Sequence, residues 1–164
     1  MKIAFFDAKP YDKPSFEKYG KNIQARIKDR IDKELSMVCY NELSLYSFMI
    51  ARQLVERAKN HGWTVGNRGS VASSLIAHLL GITQINPLEA HYYSPNCHNV
   101  EFHDESSCGD DMEDKVSQCG TKFEKDGFTI PPETFFGKDG SKVVDIDYNF
   151  ALEYQKEAIE HIGG

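Results

Sequence analysis

The chain has no hydrophobic run long enough to cross a membrane, and its apolar start, Met1–Phe6, is too short for a signal peptide. It has only four cysteines, Cys39, Cys97, Cys108 and Cys119, and their spacing is not that of a disulfide framework. Basic residues are outnumbered 19 to 25 by acidic ones, and the net charge of −6 argues against a free-standing nucleic-acid binder. We therefore expect a cytoplasmic globular protein with reduced thiols.

Four stretches of the 164 residues have the apolar spacing of amphipathic helices. The first repeats an apolar residue at every fourth position, at Ile23, Ile27, Ile31 and Leu35. In the second, the residues expected to be buried are Leu45, Phe48, Met49 and Val55. The predicted helices cover residues 22–38, 41–60, 71–80 and 152–162, and Gly81 is the expected end of the third.

Shorter stretches have the β-branched and aromatic composition of strands, at residues 2–6, 63–65 and 128–150. We expect Trp63 to be buried in the core. The aromatic residues Tyr40, Tyr46 and Phe48 could stack on bases, but their positions on helices favour the core. Residues from about 86 to 127 lack periodicity, which suggests a functional insertion or disorder.

A glycine-containing loop, residues 66–70, lies between a predicted strand and the third helix. A helix start offers backbone N–H groups to an anion, and the forked guanidinium of Arg68 suits phosphate. Ser70 would cap the helix or donate to a phosphate oxygen. The pattern indicates a phosphate site at Arg68, Gly69 and Ser70, and the alternative is a solvent-facing turn with Ser70 as a simple N-cap.

Two carboxylates two positions apart, Asp145 and Asp147, lie within an apolar, β-branched run. Side chains at i and i+2 of a strand point to the same face, so both acids would lie side by side. Such a pair suits Mg²⁺ ions and phosphoryl transfer. The alternative is an edge strand whose acids merely face water.

A set of cysteines and histidines lies in the irregular stretch, without any Cys-x-x-Cys pair. A structural zinc site needs four ligands, usually in two close pairs. Cys97, Cys108 and Cys119 could form a degenerate zinc site, and the alternative is free thiols in a polar loop.

The order of these motifs resembles the palm region of PolC-type DNA polymerase III alpha subunits, from about residue 30 to 155. The segments that carry the resemblance are 65–75 around Gly69-Ser70, 81–88, 125–127, 130–131 and 133–137, and 145–155 around Asp145-Ile146-Asp147. The resemblance implies an α/β (α+β) fold, a partial nucleotidyltransferase palm of helices packed on a small mixed sheet. It implies domains at residues 1–21, unrelated to the palm, and 22–164, with an irregular Cys/His-containing insertion at about 91–127.

The same resemblance implies template-directed DNA synthesis from deoxynucleoside triphosphates (dNTPs), with primer-template DNA and the remaining polymerase and replisome as partners. Asp145 and Asp147 would be catalytic and hold two Mg²⁺ ions, and Arg68, Gly69 and Ser70 would bind the dNTP phosphates. The family's third acidic residue lies further downstream than Gly164, so we expect the isolated chain to be inactive. The family's zinc insertion has Cys-Pro-x-Cys pairs, whereas Ser94 stands at the first cysteine position here.

Several positions depart from the family pattern: Asn67 stands where Ser is usual, and Tyr148 where Leu is usual. Residues 1–12 instead resemble the opening strand of D-lactate dehydrogenases, but the Gly-x-Gly-x-x-Gly fingerprint is absent, so no dehydrogenase activity is expected. The alternatives to a polymerase fragment are a non-catalytic nucleotide- or nucleic-acid-binding module and a scaffold fragment without a ligand.

Overall fold

The structure, a computed structural model, describes residues 21–40 and 42–163. These residues form two compact units. The insertion unit comprises the described residues up to Asp29 together with Glu89–Phe128, and the helical unit comprises Arg30–Leu88 and the described residues from Thr129 onward. The strand expected at residues 2–6, and the N-terminal segment 1–21 apart from Lys21, lie outside the described residues.

Five α-helices occur among the described residues: α1 (Lys21–Tyr40), α2 (Glu42–Asn60), α3 (Leu75–Leu79), α4 (Glu133–Phe136) and α5 (Leu152–Gly163). The helices predicted at residues 22–38, 41–60 and 152–162 are thereby confirmed. The helix predicted at residues 71–80 is wrong at its start, because a 3₁₀ turn (Gly69–Ser73) comes first and α3 is one and a half turns long. No helix in residues 21–40 or 42–163 is long and apolar enough to span a membrane.

The strands are short, and they form two antiparallel sheets. In the helical unit, β1 (Gly66–Arg68) pairs with β5 (Asp147–Asn149). In the insertion unit, the order is β3-β2-β4, where the strands are β2 (His91–Tyr93), β3 (Val100–Phe102) and β4 (Glu124–Asp126). The α+β class is confirmed, but the sheets of the described residues are antiparallel rather than mixed. The stretch expected to be irregular contains a small sheet: a short loop, residues 94–99, joins β2 to β3 as a hairpin, and β4 comes from further along the chain to pair with the other side of β2.

The buried face of α1 differs from the one that the spacing predicted. Four residues exceed one helical turn by about 40°, so a strict spacing of four drifts around the helix. Leu35 is accordingly 44% exposed, whereas Glu34 and Val38 are buried. A charged residue thus occupies a position on the buried side of α1.

The buried face of α2 combines small and large residues. It is displaced around the helix axis from the face that the sequence predicts. The buried residues are Ser44, Phe48, Ala51, Leu54, Val55 and Ala58. Leu45 and Met49, one position further round the helix, are half exposed, which corrects the expectation that they are buried. Tyr40 and Tyr46 are exposed as well, so only Phe48 of the aromatic stripe is a core residue.

Trp63 is also not a core residue, since 37% of its surface is exposed. It follows the turn at Gly62, whose φ of +78° suits glycine, and the strand expected at residues 63–65 begins instead at Gly66. Val65 is the buried residue of this connection.

The core of the helical unit joins the helices to the β1–β5 pair. Phe48 of α2 contacts both phenylalanines of α4, with ring centroids 5.9 Å from Phe135 and 6.4 Å from Phe136. Val144 belongs to the same cluster, just before β5, and Tyr154 of α5 packs with Leu54 in a second cluster. Burying these apolar side chains is the main stabilising contribution, and it fixes the two strands against the helices.

Candidate functional site

Pairing of β1 with β5 brings the glycine loop next to the aspartate pair. In this antiparallel pair Arg68 lies opposite Asp147, Asn67 opposite Tyr148 and Gly66 opposite Asn149. Side chains that lie directly opposite in an antiparallel pair share one face. Arg68 and Asp147 therefore lie on the same face, although 79 positions separate them in the sequence.

Burial alternates along the segment that contains the acids. Val144 is buried and Ile146 and Tyr148 are partly buried, whereas Asp145, Asp147 and Asn149 are exposed. Both aspartates therefore face solvent on the same side, as period-two alternation predicts. Only Asp147 belongs to β5, and Asp145 precedes the strand.

Gly69 lies beside the carboxylate of Asp147. A Cβ atom at this position would lie 3.6 Å from Oδ2 of Asp147, and Gly69 has a φ of +77°. Glycine adopts this left-handed backbone without the penalty that other residues incur. The turn from β1 into the 3₁₀ segment thus passes directly beside the Asp147 carboxylate.

The start of α3 is capped within the protein, which corrects the expected role of Ser70. Ser74 is the N-cap, and its Oγ accepts a hydrogen bond from the Ala77 N–H at 3.1 Å. The carboxylate of Glu34 accepts hydrogen bonds from the backbone N–H groups of Leu75 and Ile76, each at 3.0 Å. The N-terminus of α3 therefore already binds an anion, the side chain of Glu34, and is not available to a phosphate.

Glu34 is fully buried, and Arg30 balances its charge. Arg30 Nε donates to Glu34 Oε1 at 2.6 Å, and the Ser74 hydroxyl donates to Oε2 at 2.9 Å. The other end of the guanidinium donates to the backbone carbonyls of Ser73 and Ile130, at 2.7 and 2.8 Å. These bonds hold the segment after the loop onto α1.

The sequence pattern alone does not indicate the role of Arg30 and Glu34. The one signal available was their spacing of four, which matches an ion pair on a helix surface. That pattern is common on solvated faces, so it gave no indication of burial.

Ser70 lies in the 3₁₀ turn, partly buried, and its carbonyl accepts a hydrogen bond from the Ser73 hydroxyl at 2.8 Å. Arg68 is exposed. Within the described residues, neither Arg68 nor the two aspartates form an ion pair. Of the three expected phosphate residues, Arg68 thus lies opposite Asp147 and Gly69 lies beside the Asp147 carboxylate, whereas Ser70 follows in the 3₁₀ turn.

The donor set of Asp145 and Asp147 fits a hard divalent cation. Mg²⁺ is commonly held by one or two carboxylates, with water and substrate phosphates as the other ligands. Across residues 21–40 and 42–163, no group of three or more His, Cys, Asp or Glu side chains comes close enough to hold a metal. The aspartates can thus contribute a pair of ligands, and a third acid is not brought to them within these residues.

The inner face of the β1–β5 pair carries two of the departures from the family pattern. Asn67 and Tyr148 lie opposite each other. Neither the Asn67 Nδ2 atom nor the Tyr148 hydroxyl has a hydrogen-bond partner in the structure described. Burial raises the pKa of the Tyr148 phenol above its ordinary range.

The expected zinc residues are only partly brought together. Cys97 and Cys119 both lie beside Ser94, whose Oγ is 3.8 Å from Cys119 Sγ and accepts the Cys97 backbone N–H at 3.4 Å. Cys108 does not join them, since the described residues contain no three-ligand group. All four cysteines are free thiols.

Comparison with known proteins identifies relatives of the whole described region. Residues 9–163 match the family model of the bacterial DNA polymerase III alpha NTPase domain. The chain is 44% identical over 147 residues to the PolC-type DNA polymerase III of Streptococcus suis (strain 98HAH33), and 45% identical over 142 residues to that of Caldanaerobacter subterraneus subsp. tengcongensis. The PolC-type enzyme of Staphylococcus haemolyticus (strain JCSC1435) is 44% identical over 143 residues.

These matches cover 85 to 88% of the chain but 10% of each relative. The chain thus spans about a tenth of the length of the curated polymerases that it matches. The family match begins at residue 9, and the domain boundary expected at residue 21 stays a prediction. Because the family model covers most of the sequence and the relatives are close, the chain belongs to the family of the bacterial DNA polymerase III alpha NTPase domain.

Proposed function

We propose that the chain carries the nucleotide- and metal-binding part of a polymerase palm, and that Asp145 and Asp147 are its metal ligands. The observation that carries the proposal is the β1–β5 register, in which Arg68 lies opposite Asp147. This register supports the proposal because it brings the glycine loop and Asp147 to one exposed face, on which alternation also places Asp145. Neither the glycine loop nor the aspartate pair, taken alone, would indicate a site for both phosphate and metal.

The roles of the residues follow from their chemistry. Asp145 and Asp147 would supply carboxylate oxygens to Mg²⁺, which when bound supplies charge stabilisation for phosphoryl transfer. Arg68 would bind the dNTP triphosphate through its fixed fork of donors. The backbone of Gly69 leaves room for a phosphate oxygen beside Asp147, because no side chain fills that space.

We expect the glycine loop to bind phosphate through its position beside Asp147 and not through the dipole of α3. The N–H groups of Leu75 and Ile76 are engaged by Glu34. Ser70 would therefore act through its hydroxyl and its own backbone in the 3₁₀ turn. Arg30 and Glu34 act as positioning residues, since they fix the segment that follows the loop.

Binding of Mn²⁺ and a dNTP to the purified chain tests the site, with titration calorimetry as the readout. Asp147→Asn should lower the Mn²⁺ affinity about tenfold or more, because it removes a charged ligand. Arg68→Ala should lower the affinity for the triphosphate by a similar factor and leave binding of Mn²⁺ alone unchanged. Glu160→Gln and Arg52→Ala, which alter exposed charges on helices of the same unit, are the matched controls.

The pattern of losses separates this proposal from its alternatives. Triphosphate affinity that falls in Ser70→Ala and Arg68→Ala but survives Asp147→Asn would favour a non-catalytic nucleotide-binding module. If neither dNTP nor Mn²⁺ binds to the wild-type chain, the proposed site is wrong and the scaffold reading stands.

We expect the chain alone not to extend primers, and we propose the cytoplasm as its location and primer-template DNA as the partner of the complete polymerase site. No group of three or more potential metal ligands occurs among the described residues, so a third acid does not join Asp145 and Asp147 there. Purified chain incubated with primer-template, dNTPs and Mg²⁺ should give no longer products. Extension that Asp145→Ala abolishes would contradict this expectation.

A further inference from the structure

The outward side of α2 carries an apolar patch on the first half of the helix. Five apolar residues, here called the α2 patch, are 39 to 64% exposed there: Leu43, Leu45, Tyr46, Met49 and Ile50. With about 3.6 residues per turn, they lie on the side of α2 opposite to buried residues such as Ala51 and Leu54. The first half of α2 is therefore apolar on two sides, which is typical of a helix that contacts a neighbour on each side.

The α2 patch is as large as a weak protein–protein contact requires. Its five side chains together expose roughly 500 Å², which is near the upper limit for the largest apolar patch of a typical monomer. Two such patches in contact would bury roughly 1,000 Å² in total, which is the lower limit for a specific interface. A partner that offers an equal apolar area is therefore sufficient to cover the patch.

Polar residues of opposite charge lie at the two ends of the α2 patch. Glu42 precedes it, Arg52 and Gln53 follow it, and all three residues are exposed. Arg52 lies 3.9 Å from Glu56 in an exposed pair, and a contact of this kind contributes little to stability. Along one helix, Glu42 and Arg52 are about 15 Å apart, so they cannot pair with each other. The patch therefore has an acidic end and a basic end, each of which can bind the opposite charge.

We propose that the α2 patch binds a second copy of the same chain, with the two α2 helices antiparallel about a two-fold axis between Tyr46 and Met49. In this arrangement Tyr46 of each copy lies opposite Met49 of the other, and Leu45 lies opposite Ile50. Both contacts are apolar, and the symmetry makes each of them occur twice. The proposed contact surface contains no residue of the proposed nucleotide site, which lies on β1, on β5 and in the loop after β1.

The charges at the ends of the α2 patch favour this occupant and this direction. In the antiparallel pair, Glu42 of each copy lies opposite Gln53 of the other and beside its Arg52. A parallel pair would instead bring Glu42 next to Glu42 and Arg52 next to Arg52, and like charges in contact are unfavourable. The antiparallel arrangement also places the positive end of one helix dipole near the negative end of the other. The patch is therefore complementary to itself, as a two-fold dimer requires.

Analytical ultracentrifugation of the full chain over a range of concentrations tests the dimer. We expect a monomer–dimer equilibrium with a micromolar dissociation constant, because the buried area is at the low end for specific complexes. Met49→Glu should raise that constant at least about tenfold, since it places a charge at the centre of the apolar contact. Ile159→Glu on the exposed side of α5 is the matched control, because it makes the same change of charge at an exposed apolar residue and should leave the constant unchanged.

Exchange of the two end charges tests the antiparallel direction. Glu42→Lys and Arg52→Glu should each weaken the dimer about threefold or more, since every dimer contains the contact twice. The chain with both substitutions should restore the wild-type dissociation constant to within about twofold. An equimolar mixture of the two single variants should also dimerise like the wild type, because both contacts between the unlike chains then join opposite charges. Circular dichroism checks that the variants keep their helices.

Three outcomes would overturn the proposal. A wild-type chain that remains monomeric at every concentration would show that the α2 patch does not bind a second copy and is left to a different partner. A dimer that Ile159→Glu disrupts and Met49→Glu does not would place the contact on α5. Failure of the doubly substituted chain to dimerise, with its helices intact, would exclude the antiparallel contact.

Discussion

Glu34 shows how far the role of one residue depends on distant parts of the chain. Its carboxylate accepts bonds from Ser74, Leu75 and Ile76, about forty positions away. At the level of the sequence, a glutamate that follows two charged residues, Asp32 and Lys33, on a helix indicates a solvated face. The partners that neutralise and bond it are specified only by the tertiary fold, so its burial could not be predicted.

Loss of the Glu34 carboxylate should destabilise the helical unit strongly. Glu34→Ala leaves the guanidinium of Arg30, whose side chain is 15% exposed, without its counter-charge, and it exposes two helix N–H groups to an apolar environment. We expect a loss of about 3 to 5 kcal/mol in the free energy of unfolding. Urea denaturation followed by the fluorescence of Trp63 measures it.

Glu34→Gln is the companion variant, because its amide oxygen can still accept hydrogen bonds. It should lose less than Glu34→Ala, and the two variants together separate hydrogen bonding from charge. Equal and small losses, below about 1 kcal/mol, would mean that the buried pair does not hold this segment.

Tyr148 is a position where a substitution should raise stability, since its hydroxyl has no hydrogen-bond partner within the structure described. Removing a buried unpaired polar group relieves its desolvation cost, and Tyr148→Phe keeps the ring stacked on Phe150, 5.3 Å away. We expect stability to rise by about 1 kcal/mol. Thermal or urea denaturation gives the sign, and a clear loss would indicate that the hydroxyl is bonded in solution.

At the scale of elements, the sequence was most informative about long helices and alternating strands. The same-face placement of Asp145 and Asp147 follows from alternation alone, and the structure shows both exposed between inward apolar residues. The start of α3 was misplaced because Ser70 and Ser74 are both good caps. Only the hydrogen bonds donated to the carboxylate of Glu34, a residue outside the local sequence, select Ser74.

The packing of the 3₁₀ turn Gly109–Asp111 against β4 depends on one glycine. A Cβ atom at position 109 would lie 2.5 Å from the carbonyl oxygen of Asp126, and the Gly109 N–H donates to Gly127 at 2.7 Å. Gly109→Ala must therefore displace backbone, and we expect it to cost about 1 to 3 kcal/mol.

Hydrogen exchange of peptides from residues 89–128 is the suitable measurement, since it reports on the insertion unit. Exchange should rise in peptides containing Gly127 in the Gly109→Ala variant. Ser107→Ala, an exposed position in the same loop, is the control and should leave exchange unchanged.

At the scale of the whole molecule, acidic residues outnumber basic ones and the net charge is −6. The dependence of stability on pH is therefore sensitive to which carboxylates are paired with a lysine or an arginine. The hydrogen bond from Lys33 lowers the pKa of Glu133 below its usual value. A carboxylate with a lowered pKa stabilises the folded state above its unfolded pKa, and this contribution is lost as the pH falls through the lowered value.

Glu133→Gln should therefore reduce stability by about 0.5 kcal/mol at pH 7, because both partners are partly exposed to solvent. The difference from wild type should disappear towards pH 3. Urea midpoints at both pH values measure it, with Glu160→Gln as the control, since its partner Lys156 lies 3.9 Å away on an exposed face. A difference that persists at low pH would assign the effect to packing rather than charge.

The buried Arg30–Glu34 pair has a consequence for how this chain can change over generations. The guanidinium of Arg30 donates to the backbone carbonyls of Ser73 and Ile130 as well as to Glu34. The segments around Ser73 and Ile130 therefore both depend on one buried ion pair. Replacing either partner first leaves one buried charge unpaired, whereas replacing both together removes the two charges and leaves only backbone groups without these partners. Combined variants of Arg30 and Glu34 should therefore be far less damaging than the sum of the single ones, so this pair constrains the order in which mutations can accumulate.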